Sequence, residues 1–268
     1  MTRQPTESLH QIRRREIEQV FSRCPPASFT LGLELGAGDG FQSRLLAGYA
    51  RRLVSSEYSR ARLAQGQGGP AVYLVSDAEA VGTTFRPAAF DMVFSSNLME
   101  HLPDPDRAFA GIFEVLADHG VCISIMPNPL AKVTRLLFFY PDRALRLLEV
   151  LSASSDPGWR KTQEAFDNNP KSARYCFLRR QLWPVPHGAY RSNWEEIRQY
   201  RRQRWTRLIE QQGFEVTAVL KMPFSSGYWF GVEWARRLAE RIGLASGYAY
   251  VAFKRGSASP FRSFWAAG

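Results

Sequence analysis

The chain has 268 residues, of which 45% are hydrophobic, and it carries a formal net charge of +10 at pH 7. The apolar fraction supports a packed core and excludes wholesale disorder. Its cysteines, Cys24, Cys122 and Cys176, are too few and too widely spaced for a disulfide framework or a zinc ribbon. No apolar run reaches the roughly 18 residues of a membrane span, and the N-terminus lacks the apolar segment of a secretory signal, so we expect a cytoplasmic protein.

Charge and tryptophan are distributed unevenly along the chain. Residues 128–205 contain fifteen Lys and Arg against seven Asp and Glu, and all seven Trp lie after residue 158. The two halves are therefore expected to have different roles. The predicted segments are an N-terminal helix (1–28), an α/β core (29–127), a basic and aromatic insertion (128–192), and helices and strands that complete the core (193–268).

Strands and helices alternate in the first half of the sequence. A helix is predicted over residues 7–22, because Ile12, Ile17, Val20 and Phe21 fall near one face. The next predicted strands are 29–35, 53–57, 71–77, 90–95 and 121–126, with helices at 41–49 and 106–116. This alternation predicts βαβ units, and therefore an α/β fold with a parallel sheet and helices on both faces.

The alternation stops at residue 127 and resumes near residue 194. The segment between them contains many prolines and no clear strand. The later elements are predicted at 194–212 (helix), 214–220 (strand), 232–242 (helix) and 248–253 (strand). They bring the number of predicted strands to seven.

A glycine-rich turn follows the first predicted strand, in the sequence LELGAGDG at residues 33–40. Such a turn lets a ligand approach the backbone and aims the next helix N-terminus at it. The dinucleotide fingerprint would need glycine at position 41, which is Phe41, and the GK[ST] ending of a P-loop is absent. By itself the turn is equally compatible with a tight turn in another α/β domain.

Acidic residues close the next two predicted strands. Glu57 lies 17 residues after Gly40, near the spacing of about 20 at which an acid binds a ribose in nucleotide-binding folds. Asp77 closes the third strand and is followed by Ala78 and Glu79. The alternative is that both acids are solvated strand ends.

Five motifs in order resemble the class I S-adenosylmethionine-dependent methyltransferases, of methyltransferase type 11. The motifs are LELGAGDG, the acid at 57, SDAE, FDMVFSSNLMEHLPDP and the MPNP that ends the fifth strand. Within that class the sequence is most similar to ubiquinone-type O-methyltransferases and glycan-cluster methyltransferases. The resemblance rests on motifs over residues 29–127 and on pattern alone over 193–254. It implies a Rossmann-like, seven-stranded, mostly parallel sheet with a helical lid inserted at 128–192.

The same resemblance implies S-adenosylmethionine as the cofactor, with S-adenosylhomocysteine as the product. Glu57 would accept hydrogen bonds from both ribose hydroxyls, Asp77 would take the adenine amino group, and Glu34 would help to hold the methionine amino group. The glycine turn would pass under the methionine part, which Ser96 and Asn97 would line. The implied cofactor-binding residues are Glu34, Gly36, Ala37, Gly38, Gly40, Glu57, Tyr58, Asp77, Ala78, Glu79, Ser96 and Asn97.

Methylation of a hydroxyl needs a base, and histidine is the usual choice. Of the four histidines, His10 is expected to be solvated on the first helix, and His119 to lie in a turn before the fifth strand. His101 follows the fourth strand, where substrate should enter, as either a base or a scaffold residue. His187, in WPVPHGAY, either acts as a base or orders its loop. His101 and His187 are therefore the candidate catalytic residues.

No metal site is predicted. Some relatives carry E-x-x-E-H after the fourth strand and bind a divalent cation, but Asn97 replaces the first carboxylate here. A site formed by Glu100, His101 and His187 would lack that ligand.

The insertion is expected to select the acceptor. Residues 129–151 form either a lid helix or an interfacial surface that contacts a membrane and reaches a lipid-linked acceptor. The basic runs at 13–15 and 198–204 are either solvated helix faces or phosphate contacts.

Three functions remain open from the sequence. The expected one is methylation of a small molecule or glycan, most often at oxygen. Against an RNA methyltransferase, no RNA-binding module is recognised and the fourth strand does not end in N-P-P-[YF]. Against a non-catalytic binding protein, the glycines, Glu57 and Asp77 are all present.

Overall fold

The computed structural model describes residues 5–66, 69–140, 184, 190–224 and 233–266. Its centre is a seven-stranded sheet in the order β3-β2-β1-β4-β5-β7-β6. Only β7 runs against the others, because it pairs antiparallel with both β5 and β6. The strands are β1 (Phe29–Leu35), β2 (Ala50–Glu57), β3 (Val72–Val75), β4 (Phe90–Ser96), β5 (Leu116–Pro127), β6 (Phe214–Lys221) and β7 (Gly247–Lys254). The predicted Rossmann-like, mostly parallel, seven-stranded sheet is confirmed.

Helices cover both faces of this sheet. The helices Pro5–Val20 and Phe41–Leu46 pack with the C-terminal 3₁₀ helix on one face, and the helices Pro105–Val115 and Arg202–Gln211 pack on the other. The helices are α1 (Pro5–Val20), α2 (Phe41–Leu46), α3 (Arg60–Gly66), α4 (Val81–Thr84), α5 (Pro105–Val115), α6 (Pro129–Leu137), α7 (Asn193–Gln199), α8 (Arg202–Gln211) and α9 (Glu233–Arg241), with 3₁₀ helices at Ala78–Ala80, Met99–His101 and Pro260–Phe264. Strands β1 and β4 are buried along most of their length, as expected for strands covered on both faces.

Several predicted boundaries shift by up to three residues, as at β2, which begins at Ala50 rather than at residue 53, and two predictions are wrong by more than that. The helix predicted over 194–212 is two helices, because Arg201 has an extended backbone (φ −65°, ψ 135°) between α7 and α8. Strand β5 begins at Leu116 rather than at residue 121, because Leu116 pairs with Phe90 of β4. His119 therefore lies within β5 and not in a turn before it.

The strand order places a crevice at the centre of the sheet. From β1 the chain proceeds outward to β2 and β3, then crosses back to β4 and continues to β5 on the other side. In open parallel sheets, ligands bind outside the carboxyl ends of the strands at this point of reversal. The ends of β1, β2 and β4 therefore define where a site is expected.

None of the helices in the described segments is long and apolar enough to cross a membrane.

Candidate cofactor and acceptor site

The glycine loop after β1 has a backbone that other residues rarely adopt. Gly36, Gly38 and Gly40 have φ values of 74°, 58° and 73°, in the left-handed region. The amides of Gly36 and Ala37 both donate to the carbonyl of Ser56, at 2.8 and 2.9 Å, and fix the loop against β2. A Cβ atom built on Gly38 would meet no atom within 4 Å. The loop therefore borders open space that a ligand could fill.

Glu57 joins the end of β2 to this loop. Its side chain is buried, and its Oε2 accepts a hydrogen bond from the Gly38 amide at 2.9 Å, while Oε1 accepts from Ser59 at 3.0 Å. Each carboxylate oxygen has a second lone pair, so the group can accept further hydrogen bonds. The neighbouring Tyr58 is 76% exposed.

Asp77 and Glu79 are engaged with the backbone after β3. The Asp77 side chain is exposed, and its Oδ1 accepts from the Glu79 amide at 2.9 Å, which caps the 3₁₀ helix that begins at the buried Ala78. The Glu79 carboxylate accepts from the Asp104 amide at 2.8 Å, so it holds the loop that precedes α5. The sequence did not indicate this structural contact.

Glu34 lies in the interior beneath the glycine loop. Its side chain is 2% exposed and accepts hydrogen bonds from the hydroxyls of Ser43 and Ser55. Burial raises the pKa of Glu34 to about 7, although both hydroxyls act to lower it. A role toward the methionine amino group stays a prediction for this residue.

Arg13 of α1 reaches the end of β4, a contact that sequence reasoning missed. Its guanidinium donates to Ser96 Oγ at 2.9 Å and to Glu16 at 2.8 Å. Asn97 has a left-handed backbone (φ 49°), and with its amide oxygen turned toward Arg13 it also accepts from the guanidinium. The basic run at 13–15 was the signal in the sequence, but its partner is 83 residues away.

His10 also lies over the glycine loop, so the expectation that it is solvated is wrong. Its Nε2 is 2.9 Å from Asp39 Oδ2, and its ring stacks on Phe41 with centroids 4.0 Å apart. Burial acts to raise the pKa of Asp39, but hydrogen bonds from the Phe41 amide and His10 outweigh it, and the pKa is lowered. Helix α1 thus covers the loop through His10 and Arg13.

Two proton-accepting side chains lie side by side after β4. Glu100 is 2% exposed, and its Oε2 has no hydrogen-bond partner among the described residues. Burial raises the pKa of Glu100 to about 7, against the opposing charges of Arg13 and Arg135. His101 Nε2 lies 3.9 Å from Glu100 Oε1. Burial and then the nearby Arg135 and Arg62 lower the pKa of His101, which favours the neutral imidazole.

The other candidate base cannot be placed. His187 and the greater part of the insertion lie outside the described residues. Within the part of the chain that the structure describes, no three His, Cys, Asp or Glu side chains are grouped so that they could hold a metal ion.

A buried ion pair joins α6 to α7 beside this edge of the sheet. Lys132 Nζ lies 2.6 Å from Glu196 Oε2, and the two side chains are 1% and 0% exposed. Burial lowers the pKa of Lys132, although Glu196 acts to raise it. Tyr200 packs edge-on against Tyr190 with ring centroids 5.7 Å apart. None of these contacts was predicted from the sequence.

Comparison with known proteins identifies the domain that holds this site. Residues 33–124 match the family model of a methyltransferase domain. Over this region the chain is thus similar to S-adenosylmethionine-dependent methyltransferases. An S-adenosylmethionine-dependent methyltransferase of Mycolicibacterium smegmatis is 27% identical over 124 residues, which are 46% of this chain and 47% of that protein. The match thus spans about half of that relative's length.

Solved structures share the fold of this chain. One is a complex between the Haloferax volcanii Trm112 methyltransferase activator and a methyltransferase, with a TM-score of 0.57 and 11% identity over 92% of each chain. Another is an S-adenosylmethionine-dependent methyltransferase from Listeria monocytogenes, with a TM-score of 0.54 and 13% identity over 91% of this chain and 98% of that one. At these identities the likeness concerns the fold alone.

S-adenosylmethionine is the cofactor that the family implies, and the residues present fit it. The open space beside Gly38 borders the Glu57 carboxylate, and both lie at the central crevice of the sheet. A carboxylate accepts hydrogen bonds without donating any, as binding of two hydroxyls requires.

Proposed function

We propose that this protein transfers a methyl group from S-adenosylmethionine to a hydroxyl of a small-molecule or glycan acceptor. The observation that supports this most is the pair Glu100 and His101 at the carboxyl end of β4, where two proton acceptors lie 3.9 Å apart. Transfer to a hydroxyl requires the loss of its proton, and such a pair can take it. The glycine loop and Glu57 lie at the same edge of the sheet.

The chain's own residues would bind and orient the two reactants. S-adenosylmethionine supplies an electrophilic methyl group when it is bound. The backbone of Gly36 and Gly38 would lie under its methionine part, Glu57 would hold the ribose, and Asp77 the adenine. Helix α1 would exclude water through its contacts at His10 and Arg13, because methyl transfer depends on alignment of the reactants and a dry site.

His101 would act as the base. Its lowered pKa leaves the ring neutral at pH 7, so it can accept a proton at Nε2. The Glu100 carboxylate lies 3.9 Å from this nitrogen and in its ionised form would stabilise the imidazolium that forms. The rate of transfer should therefore rise with pH through a pKa below the usual value of 6.5 and then level off.

The test uses purified protein, methyl-labelled S-adenosylmethionine and an extract of the source organism, separated into organic and aqueous phases and then treated with ribonuclease. We expect label in the aqueous phase that resists ribonuclease. His101→Gln should lower the rate and abolish its rise with pH, while the Kd for S-adenosylmethionine stays unchanged. The proposal would be contradicted if ribonuclease released the label, which would place the methyl group on RNA. It would also be contradicted if the protein bound S-adenosylmethionine but transferred no label.

A lipid-linked acceptor is the second candidate, and helix α6 favours it. Val133 and Leu137 of this helix are 37% and 67% exposed, at the start of the segment 129–151. Apolar side chains beside basic ones suit an interface with anionic headgroups. In the same assay this candidate predicts label in the organic phase.

A further inference from the structure

A basic groove between α5 and α8 is not used by the proposed methyl transfer. The groove is a cavity of about 400 Å³, and Arg201, Arg204 and Arg207 lie along one side of it. The remaining lining residues are Asp106, Gln203, Leu208 and Gln211. The volume is in the range of small-molecule sites, which is roughly 300–1,000 Å³.

The arginines of this groove have no carboxylate partner among the described residues. Asp106, the one acid that lines it, accepts a hydrogen bond from Gln212 at 3.3 Å. Arg204 stacks on the buried Trp205, 4.5 Å from the ring centroid, and its buried Nη1 has no hydrogen-bond partner in the described segments. Arg204 and Arg207 are neighbouring like charges on α8, so an anion bound between them would relieve their repulsion.

The spacing of the arginines suits adjacent phosphoryl groups. Arg204 and Arg207 are three positions apart on α8, which separates them by about 4.5 Å along its axis, and Arg201 is the N-cap residue just before the helix. The guanidinium fork binds phosphate oxygens with two parallel hydrogen bonds, and Gln203 and Gln211 add neutral donors at the same groove. The groove therefore offers donors for two phosphoryl groups side by side.

The groove begins near the acceptor side of the sheet. Asp106, which lines the groove, lies five residues after His101 in the chain. Arg201, another lining residue, directly follows Tyr200, whose ring centroid lies 5.7 Å from that of Tyr190. A ligand that extends from the end of β4 toward the start of α5 would therefore reach the groove on its Asp106 side.

We propose that this groove binds the phosphate or diphosphate group of the methyl acceptor, which makes the acceptor a phosphorylated small molecule such as a nucleotide-linked sugar. The inference rests on the proposed function, because it assigns a recognition group to the same acceptor. Arg201, Arg204 and Arg207 would determine specificity without touching the reacting atoms.

The test is calorimetric titration of the full-length protein with inorganic pyrophosphate, and separately with S-adenosylmethionine. We expect saturable binding of pyrophosphate that Arg201→Gln/Arg207→Gln weakens by about tenfold or more, since hydrogen bonds to charged groups are lost. The matched control is Arg51→Gln/Arg52→Gln on β2, which also removes two exposed arginines. Helix α8 packs against β6 at one edge of the sheet, and β2 lies near the opposite edge. The control should change the affinity by less than about twofold.

Further arms distinguish the sources of phosphate. In the labelling assay, the wild-type product should be retained on an anion exchanger and lose that retention after digestion with nucleotide pyrophosphatase followed by phosphatase, and Arg201→Gln/Arg207→Gln should reduce its formation. The same titration is repeated with phosphatidylglycerol vesicles and with an RNA oligonucleotide. The inference is overturned if pyrophosphate does not bind, or if the control variant loses as much affinity. It is also overturned if the protein binds only the vesicles or only the RNA. If the protein binds S-adenosylmethionine but not pyrophosphate, only the inference about the groove fails and the proposed function stands. If the protein does not bind S-adenosylmethionine, the proposed function itself fails.

Discussion

At the residue scale, the single carboxylate of Glu57 has one structural role and one proposed binding role. It already binds the Gly38 amide at 2.9 Å and the Ser59 amide at 3.0 Å, and it is proposed to bind the ribose as well. The two tasks are compatible because each oxygen can accept two hydrogen bonds. A change at Glu57 should therefore affect both the shape of the glycine loop and the affinity for the cofactor.

Replacing Glu57 tests the proposed cofactor site. Glu57→Ala should raise the Kd for S-adenosylmethionine by about ten- to a hundredfold, because hydrogen bonds to a charged group are worth roughly 1.5–3 kcal/mol. Glu57→Gln keeps one acceptor oxygen and should show a smaller loss, and Asp77→Ala should also weaken binding. Calorimetric titration measures each Kd, with the exposed Glu18→Gln as the control. Unchanged affinity in both Glu57→Ala and Asp77→Ala would refute this placement of the cofactor.

Glu34 should make stability depend on pH. Its carboxyl has a pKa of 4.5 in an ordinary environment and about 7 in the folded protein. Between these values the folded state binds the additional proton, so the free energy of unfolding falls as pH rises from about 4.5 to about 7. The full effect is on the order of 3 kcal/mol, since each pKa unit corresponds to about 1.4 kcal/mol.

Urea unfolding at several pH values measures this dependence. Glu34→Gln should reduce the decrease between pH 5 and pH 7 without abolishing it, because an amide does not titrate there while Glu100, whose pKa is also raised to about 7, still does. Glu18→Gln on the exposed face of α1 should leave the decrease unchanged. A variant at position 34 with the wild-type slope would show that this carboxyl is not the source.

At the element scale, polar contacts attach helix α6 to the core and to α7. Asn128 caps α6 by accepting from the Ala131 amide and donates to the carbonyl of Ala245 at 2.7 Å. The buried pair Lys132 and Glu196 then fixes α6 to α7. Desolvation makes such pairs weak sources of stability, but they define one relative position of two helices.

Breaking this pair should be more damaging than replacing it. Lys132→Met removes the positive charge that lies 2.6 Å from the buried Glu196 carboxylate and should lower the free energy of unfolding by about 3–5 kcal/mol. The double variant Lys132→Met/Glu196→Leu should lose less, because no buried charge remains. Urea unfolding measures both, and Asp118→Asn, which breaks an ion pair whose acid is 92% exposed, should lose less than about 1 kcal/mol. A double variant that loses as much as Lys132→Met, or more, would contradict this account.

At the scale of the whole molecule, the first helix and the C-terminal 3₁₀ helix close one face of the sheet together. Trp265 is 8% exposed, and its Nε1 donates to the carbonyl of Val20 at 2.8 Å. Its ring lies 6.4 Å from Phe21 of α1 and from Phe253 of β7. The position of α1 over the glycine loop therefore depends on residues almost 250 positions later in the chain.

Removing the Trp265 side chain should loosen this face. Trp265→Ala should lower the free energy of unfolding by about 3–5 kcal/mol, the usual loss for a large buried aromatic residue. It should also weaken binding of S-adenosylmethionine, because α1 covers the loop. Trp194→Ala is the control, since Trp194 is 77% exposed and should change stability by less than about 0.5 kcal/mol. Equal losses in the two variants would contradict the packing role.

The sequence by itself determined the strands and the kind of domain. Continuous apolar runs such as Phe29–Leu35 become buried strands wherever helices cover both faces, and β1 was predicted to the residue. The turn at Gly36 and Gly38 was recognisable because only a bare backbone suits it. These are local signals, and local signals can be read from neighbouring residues.

Only the tertiary structure decided which distant side chains meet. His10 was expected to be solvated but stacks on Phe41, and Arg13 reaches Ser96 from 83 residues away. The predicted helix 194–212 breaks at Arg201, although the sequence there continues a helical pattern. Such contacts follow from how helices pack across the sheet, and packing depends on the whole fold rather than on the residues beside each position.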